Sequence, residues 1–80
     1  MAQLSFAKRE ALAVLLAAGA IDRATARTVL DEPGLKQVVV GALRRVALVD
    51  SRTVRTLSGI RTAYWLTGAG LMKARQLAEA

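Results

Sequence analysis

Leu35-Lys36-Gln37-Val38-Val39-Val40-Gly41-Ala42-Leu43-Arg44-Arg45-Val46, followed at residues 52–66 by Arg-Thr-Val-Arg-Thr-Leu-Ser-Gly-Ile-Arg-Thr-Ala-Tyr-Trp-Leu, is the stretch that decides the fold. In the first part Leu35, Val38, Val39, Ala42, Leu43 and Val46 recur at three- and four-residue spacing, the period of one helix face. The β-branched run Val38 to Val40 also suits a strand, but the helical period covers the longer window and predicts a helix over 35–46. Its outer face then reads Lys36, Gln37, Val40, Gly41 and Arg44, with Arg45 at the flank. In the second part the period changes to two. Two runs rich in β-branched and aromatic residues surround Ser58-Gly59, a short hairpin signal. With Ser58-Gly59 as the loop, Val54 pairs with Ala63 and Leu57 with Ile60. Trp65 then shares a face with Val54 and Ala63, while Tyr64 and Leu66 share the other with Leu57. The pairing alone leaves open which face is the core.

Working outward, Ser5 is a cap for a first helix over Phe6 to Ala18, and Gly19 ends it. Leu12, Leu15 and Leu16 make one apolar face; Ala11, Val14 and Ala18 make another side apolar too. Such a helix buries more than one side, against the last helix or a second subunit. Asp22 caps a second helix predicted over Arg23 to Asp31, with Ala26, Val29 and Leu30 inward and Arg23 and Arg27 on a polar face. Glu32-Pro33-Gly34 stops it, because Pro33 disfavours helical geometry at the residue before it. Thr67 caps a closing helix over roughly 68–78, with Leu71, Ala74, Leu77 and Ala78 inward. Gly68 and Gly70 there permit close backbone approach.

The 80 residues form one small domain, 1–80, with neither Cys nor His. Disulfides and thiolate or imidazole metal ligands are excluded, and no metal or cofactor is expected. Catalysis has little to work with: no nucleophile lies beside a base, and the acids Asp31, Glu32 and Asp50 sit at element ends. No P-loop pattern is present, and one Trp, one Tyr and one Phe are too few for an RNA-stacking sheet. The chain reads as a non-enzyme. The core must be aliphatic, since 54% of residues are hydrophobic but 4% aromatic. That apolar excess in a small domain predicts a second buried surface, and a homodimer supplies one.

Charge is unevenly placed. Of the net +6, residues 36–61 carry Lys36, Arg44, Arg45, Arg52, Arg55 and Arg61 against Asp50 alone, six minus one or +5. A concentrated positive field points to a polyanion, with nucleic acid first. Lys8-Arg9 before an apolar run and Ala18-Gly19-Ala20 imitate a secretory leader. Glu10 at the edge of that run argues against export, and the run is shorter than the roughly 20 residues a membrane span needs. A cytoplasmic protein, without membrane association, is the expectation.

The order helix, helix, turn, helix, hairpin, helix resembles the winged helix-turn-helix regulators of bacteria, archaea and their viruses. Val40-Gly41-Ala42-Leu43-Arg44-Arg45-Val46-Ala47-Leu48-Val49 is similar to the end of a recognition helix running into the first wing strand. Tyr64-Trp65-Leu66-Thr67-Gly68-Ala69-Gly70-Leu71 is similar to the aromatic-x-Leu-Thr-x-x-Gly junction of antibiotic-resistance-type regulators, where the wing hands over to the closing helix. The resemblance covers nearly the whole chain. It implies an α+β, mostly α fold: three helices, a two-stranded wing and a C-terminal helix. It departs from the family at Ala47, which directly precedes Leu48-Val49 where a Gly often stands several residues after the helix. The resemblance covers no ligand-binding extension, so it does not imply an inducer response.

On this resemblance the chain is a sequence-specific double-stranded DNA-binding transcriptional regulator. Lys36, Gln37, Val40, Gly41 and Arg44 are the candidates for base contact: Arg suits guanine, Gln suits adenine, and an aliphatic group suits the thymine methyl. Arg23, Arg27, Arg45, Arg52, Arg55 and Arg61 are the candidates for the phosphate backbone. Two alternatives share the layout. One is an excisionase-like architectural DNA binder. The other is a winged-helix protein-interaction module, such as a phage-encoded inhibitor of a host defence complex, whose basic face meets an acidic protein.

Overall fold

Ser5 and Gly19 bound the first helix, as the sequence indicates. A computed structural model of the chain describes residues 4–79, and α1 runs Phe6–Ala18. The Ser5 hydroxyl accepts from the Lys8 N–H at 3.3 Å, satisfying one of the unpaired donors of a first turn. At the other end Gly19 has φ 72. The Gly19 N–H donates to the Leu16 carbonyl and the Ala20 N–H to the Leu15 carbonyl, the paired bonds of a Schellman end. Ala11, Leu12 and Leu15 are buried. The helix packs on both α3 (Gly68–Glu79) and α2 (Gln37–Arg45), so more than one of its apolar sides is covered within the chain.

The second predicted helix does not form. Over 23–31 the chain makes a 3₁₀ turn, Arg23–Thr25, and then leaves helical geometry at Ala26, φ −57 and ψ 146. Asp22 is a cap, but of that short turn. Its carboxylate accepts from the Thr25 N–H and hydroxyl, and the Thr25 hydroxyl accepts in return from the Asp22 N–H. Arg27 is drawn into strand pairing: its N–H and C=O exchange 2.8 Å bonds with Tyr64. A non-local ladder therefore overrides local helix preference. A single capped turn follows, in which the Thr28 hydroxyl accepts from the Leu30 and Asp31 N–H groups and Asp31 accepts from the Thr28 N–H. Leu30, expected inward, is exposed.

α2 forms with its inward side at Val39, Val40 and Leu43, of which Val40 and Leu43 are fully buried. Val38, expected inward, is 86% exposed, and Val46 is exposed as well. The reason is the helix start. Lys36 is the N-cap, so Leu35 lies before the helix, buried in the preceding turn. Counting Leu35 as part of the face shifted the phase. α2 ends as α1 does: the Ala47 N–H donates to the Arg44 carbonyl and the Leu48 N–H to the Leu43 carbonyl. Here the left-handed position, φ 62, is held by Ala47 rather than by Gly.

The hairpin is β1 (Val49–Thr56) and β2 (Gly59–Leu66), antiparallel. Its register differs from the expected one. Leu57-Ser58 is the loop, Thr56 pairs with Gly59, Val54 with Arg61, and Arg52 with Ala63. Gly59 takes φ 119 as the first residue of β2, so it closes the ladder rather than sitting in the loop. The shift is two residues, so the alternation of faces is kept. Val49, Tyr64 and Leu66 are buried on one face, which is therefore the core side. β2 is the inner strand, because its Tyr64 also pairs with Arg27 and its Leu66 N–H donates to the Ala20 carbonyl.

Thr67 immediately precedes α3, and its hydroxyl accepts from the Gly70 N–H at 3.0 Å and donates to the Ala47 carbonyl at 2.7 Å. One side chain thus ties the closing helix to the exit of α2. The largest fully buried side chains are Leu12, Leu15, Val40, Leu43, Val49 and Leu66, an aliphatic core as the composition requires. The architecture is α+β and mostly helical, three α-helices and a two-stranded sheet, in an order compatible with a winged-helix layout. Among the described residues no helix is long and apolar enough to cross a membrane.

Candidate nucleic-acid interface

The basic residues of 36–61 lie on two elements anchored to one core. α2 is fixed by Val40 and Leu43, and the base of the hairpin by Val49, Tyr64 and Leu66. α2 leaves its other side to solvent, whereas the other face of the hairpin holds the buried Ala63 and borders a groove with residues 23–31.

On α2, successive residues are rotated by about 100°. Val38, Gly41 and Arg45 therefore lie at the centre of the outer face, opposite the buried Val39, Val40 and Leu43. Gln37 and Arg44, seven residues apart and both exposed, form one flank of that face. Lys36 is exposed at its N-terminal edge. Four of the five expected base-contact positions thus stand on accessible surface: Lys36, Gln37, Gly41 and Arg44. Val40 does not. It has no exposed surface, which removes it as a candidate, and Val38, two residues earlier and so on the opposite side of the helix, presents the equivalent aliphatic group. A side chain at Gly41 would meet nothing within 4 Å, so the glycine leaves an open floor rather than fitting a tight contact. Arg45, expected at the flank, moves to the centre.

The three wing arginines divide between two faces. Arg55 pairs with Ile60 on the same face as Thr62 and Tyr64, the face turned to α2. A cleft of about 110 Å³ opens there between Gln37 on α2 and Ile60, Thr62 and Tyr64 on β2. Arg52 and Arg61 lie on the opposite face, where with Arg23 and Asp31 they border a wider groove of about 310 Å³. The turn 23–25 brings Arg23 to that groove, although the helix expected to carry it is absent. Arg61 lines both openings. Its Nε is shielded from solvent and has no hydrogen-bond partner among the described residues.

Arg27 is set apart from the rest. Its backbone is in the ladder with Tyr64, and its side chain lies 4.0 Å from Glu32, the one ion pair among the described residues. None of Lys36, Arg44, Arg45, Arg52, Arg55 and Arg61 has a described carboxylate within that distance. Asp50, the single acid of the region, is occupied in accepting from the Ser51 N–H at 2.8 Å. Lys36, Arg44, Arg45, Arg52 and Arg55 are exposed and Arg61 is half-buried; with no described carboxylate at ion-pair distance, their summed charge raises the local potential.

Sequence reasoning missed Val38, Ile60 and Thr62 as parts of this surface. The signal for Val38 was the position of Leu35, two residues after Pro33 and still inside a turn. Ile60 and Thr62 carry no such signal, because their place depends on the register. No protein-family model, no curated protein and no solved structure matches this chain.

Proposed function

We propose that this chain is a sequence-specific double-stranded DNA-binding transcriptional regulator of the winged helix-turn-helix kind, acting in the cytoplasm. α2 enters the major groove with Gln37, Val38, Arg44 and Arg45 toward base edges, and Lys36 at its edge. The wing grips phosphates through Arg52, Arg55 and Arg61, with Arg23 beside them. The observation that carries this reading is the set of six cations on α2 and the hairpin with no acidic partner within 4.0 Å among the described residues. Neutralising phosphates releases counterions, so binding falls steeply with salt. Titration of a labelled duplex at several salt concentrations tests the reading.

The regulator acts as a homodimer through the groove between α1 and α3. Phe6 is 80% exposed there, beside Ala13 on α1 and Ala74 and Leu77 on α3. Two α2 helices about 34 Å apart would then meet successive turns of one duplex. The same groove favours a second reading, in which the domain is a protein-interaction module and a different protein covers Phe6. Sedimentation of the pure chain separates the two: a dimer at micromolar concentration supports the first, a monomer the second.

A further inference from the structure

The apex of the wing carries Leu57, with its side chain fully exposed. It is the first of two loop residues between Thr56 and Gly59. Such loops ordinarily use Gly, Asn, Asp or Ser, for backbone or hydrogen-bonding reasons. Leucine answers neither need, and Leu57 is not among the residues packed on the core. Ile60, 66% exposed, stands beside it.

The tip is also held in shape. The Thr56 hydroxyl donates to the Gly59 carbonyl at 2.8 Å and lies 3.1 Å from the Ser58 hydroxyl. Tipward of Ala63, the buried residue of β2 nearest the loop, four residue pairs extend the ladder by roughly 13 Å at about 3.3 Å per residue; Thr53–Thr62 and Val54–Arg61 border the clefts on either side, and Arg55–Ile60 and Thr56–Gly59 are exposed. Arg55 and Arg61 flank the apolar tip, and residues 51–66 contain no acid. An occupant of this tip must offer negative charge on either side of an apolar interior. The minor groove of a duplex does so, with phosphates on both rims and stacked bases between. Proteins that deform DNA there insert an apolar side chain between base steps and kink the duplex toward the major groove.

We propose that Leu57 is such a wedge, entering the minor groove beside the α2 contact and bending the duplex, with Arg55 and Arg61 on the flanking phosphates. The inference rests on the DNA-binding reading and adds an architectural activity to it. An anionic bilayer offers a related combination of charge and apolar interior. It fits less well, because interfacial anchors present a longer apolar face with Trp or Phe, and this tip offers two aliphatic side chains.

The test is energy transfer across a duplex of about three helical turns labelled at both ends, with a 2-aminopurine reporting unstacking. It uses wild type, Leu57→Ala and Leu57→Met, with anionic phosphatidylserine vesicles as a separate arm. Wild type and Leu57→Met are expected to bend the duplex by roughly 20–90° and to raise 2-aminopurine fluorescence. Leu57→Ala should still bind with the same salt slope, but lose the bend and the fluorescence rise. Binding by all three proteins with equal bending, or with none, overturns the wedge and leaves the DNA-binding reading standing. Absence of any duplex binding by wild type at low salt overturns both. Leu57-dependent binding to vesicles without duplex bending gives the tip to a membrane and also overturns the proposal. Thermal melts of the variants should match wild type, because Leu57 touches no core.

Discussion

Gly70 lies against Leu48 so closely that a Cβ at position 70 would overlap the Leu48 carbonyl oxygen. That carbonyl also accepts from the Thr67 N–H at 3.2 Å. The start of α3 and the exit of α2 are therefore one joint, and it sets where the wing leaves the core. Gly70→Ala is expected to destabilise the fold by roughly 1–3 kcal/mol or more, as overpacking against backbone does. Urea denaturation followed by circular dichroism checks it; a midpoint equal to wild type would refute the close approach.

Ala47 and Gly19 make a matched pair of opposite substitutions. Both hold the left-handed position of a Schellman end, but only one is glycine. A left-handed residue with a Cβ costs about 1–2 kcal/mol, and glycine returns roughly 0.5–1 kcal/mol of that through the freedom of its unfolded chain. Ala47→Gly should therefore raise stability by up to about 1 kcal/mol. Gly19→Ala should lower it by a similar amount. Thermal melts of the two variants would show shifts of opposite sign.

Val40 and Val38 should separate stability from recognition. Val40→Ala removes fully buried methyl groups and is expected to cost roughly 1–3 kcal/mol of stability. Val38→Ala changes an exposed residue and should stay within about 0.5 kcal/mol. Its effect should fall on duplex affinity instead. Equal stability losses for both would mean that the phase of α2 is not the one described.

How much was legible in the sequence follows from which contacts are local. The first helix was readable because Ser5 and Gly19 act within a few residues of what they cap. The wing was readable because the change from a helical to a two-residue period is also local. The second helix was misread because Arg27 pairs with Tyr64, thirty-seven residues away. The hairpin register slipped by two because a Ser-Gly pair looks like a loop, whereas the Thr56 side chain closes Gly59 into the ladder. The outer face of α2 was off by its starting point: one buried leucine outside the helix, Leu35, placed Val40 outward and Val38 inward. Lys36, Gln37, Arg44 and Arg45 are exposed, so exchanging the places of Val38 and Val40 leaves the polar residues of that face at the surface.

Asp22 gives the fold a small acid-side dependence. The Thr25 hydroxyl, and then the Thr25 N–H, hold its carboxyl below the usual carboxylate range. A lowered folded-state value means the contribution is present above the ordinary carboxylate pKa and is lost as pH falls through the lowered one. Wild type should therefore lose more stability than Asp22→Ala between about pH 6 and about pH 3. Melting both proteins across that range checks it, with parallel curves as the contrary outcome.

The wing and α2 should divide their labour on DNA. Arg55→Ala and Arg61→Ala should weaken binding to all duplexes alike and reduce the salt slope by about one unit per lost contact. Arg44→Ala should cost roughly 1–3 kcal/mol on a preferred site and relax preference at one position. Arg45→Ala, at the centre of the outer face, should do the same at a neighbouring position.

The measurement closest to the central claim is fluorescence anisotropy of the wild-type chain on a preferred and a scrambled duplex across a salt series. DNA recognition by this surface predicts binding to both, a linear fall of log affinity with log salt corresponding to several phosphate contacts, and tighter binding to the preferred site at every salt concentration. No salt-dependent duplex binding at low salt would contradict it, and the basic face would then belong to a protein partner.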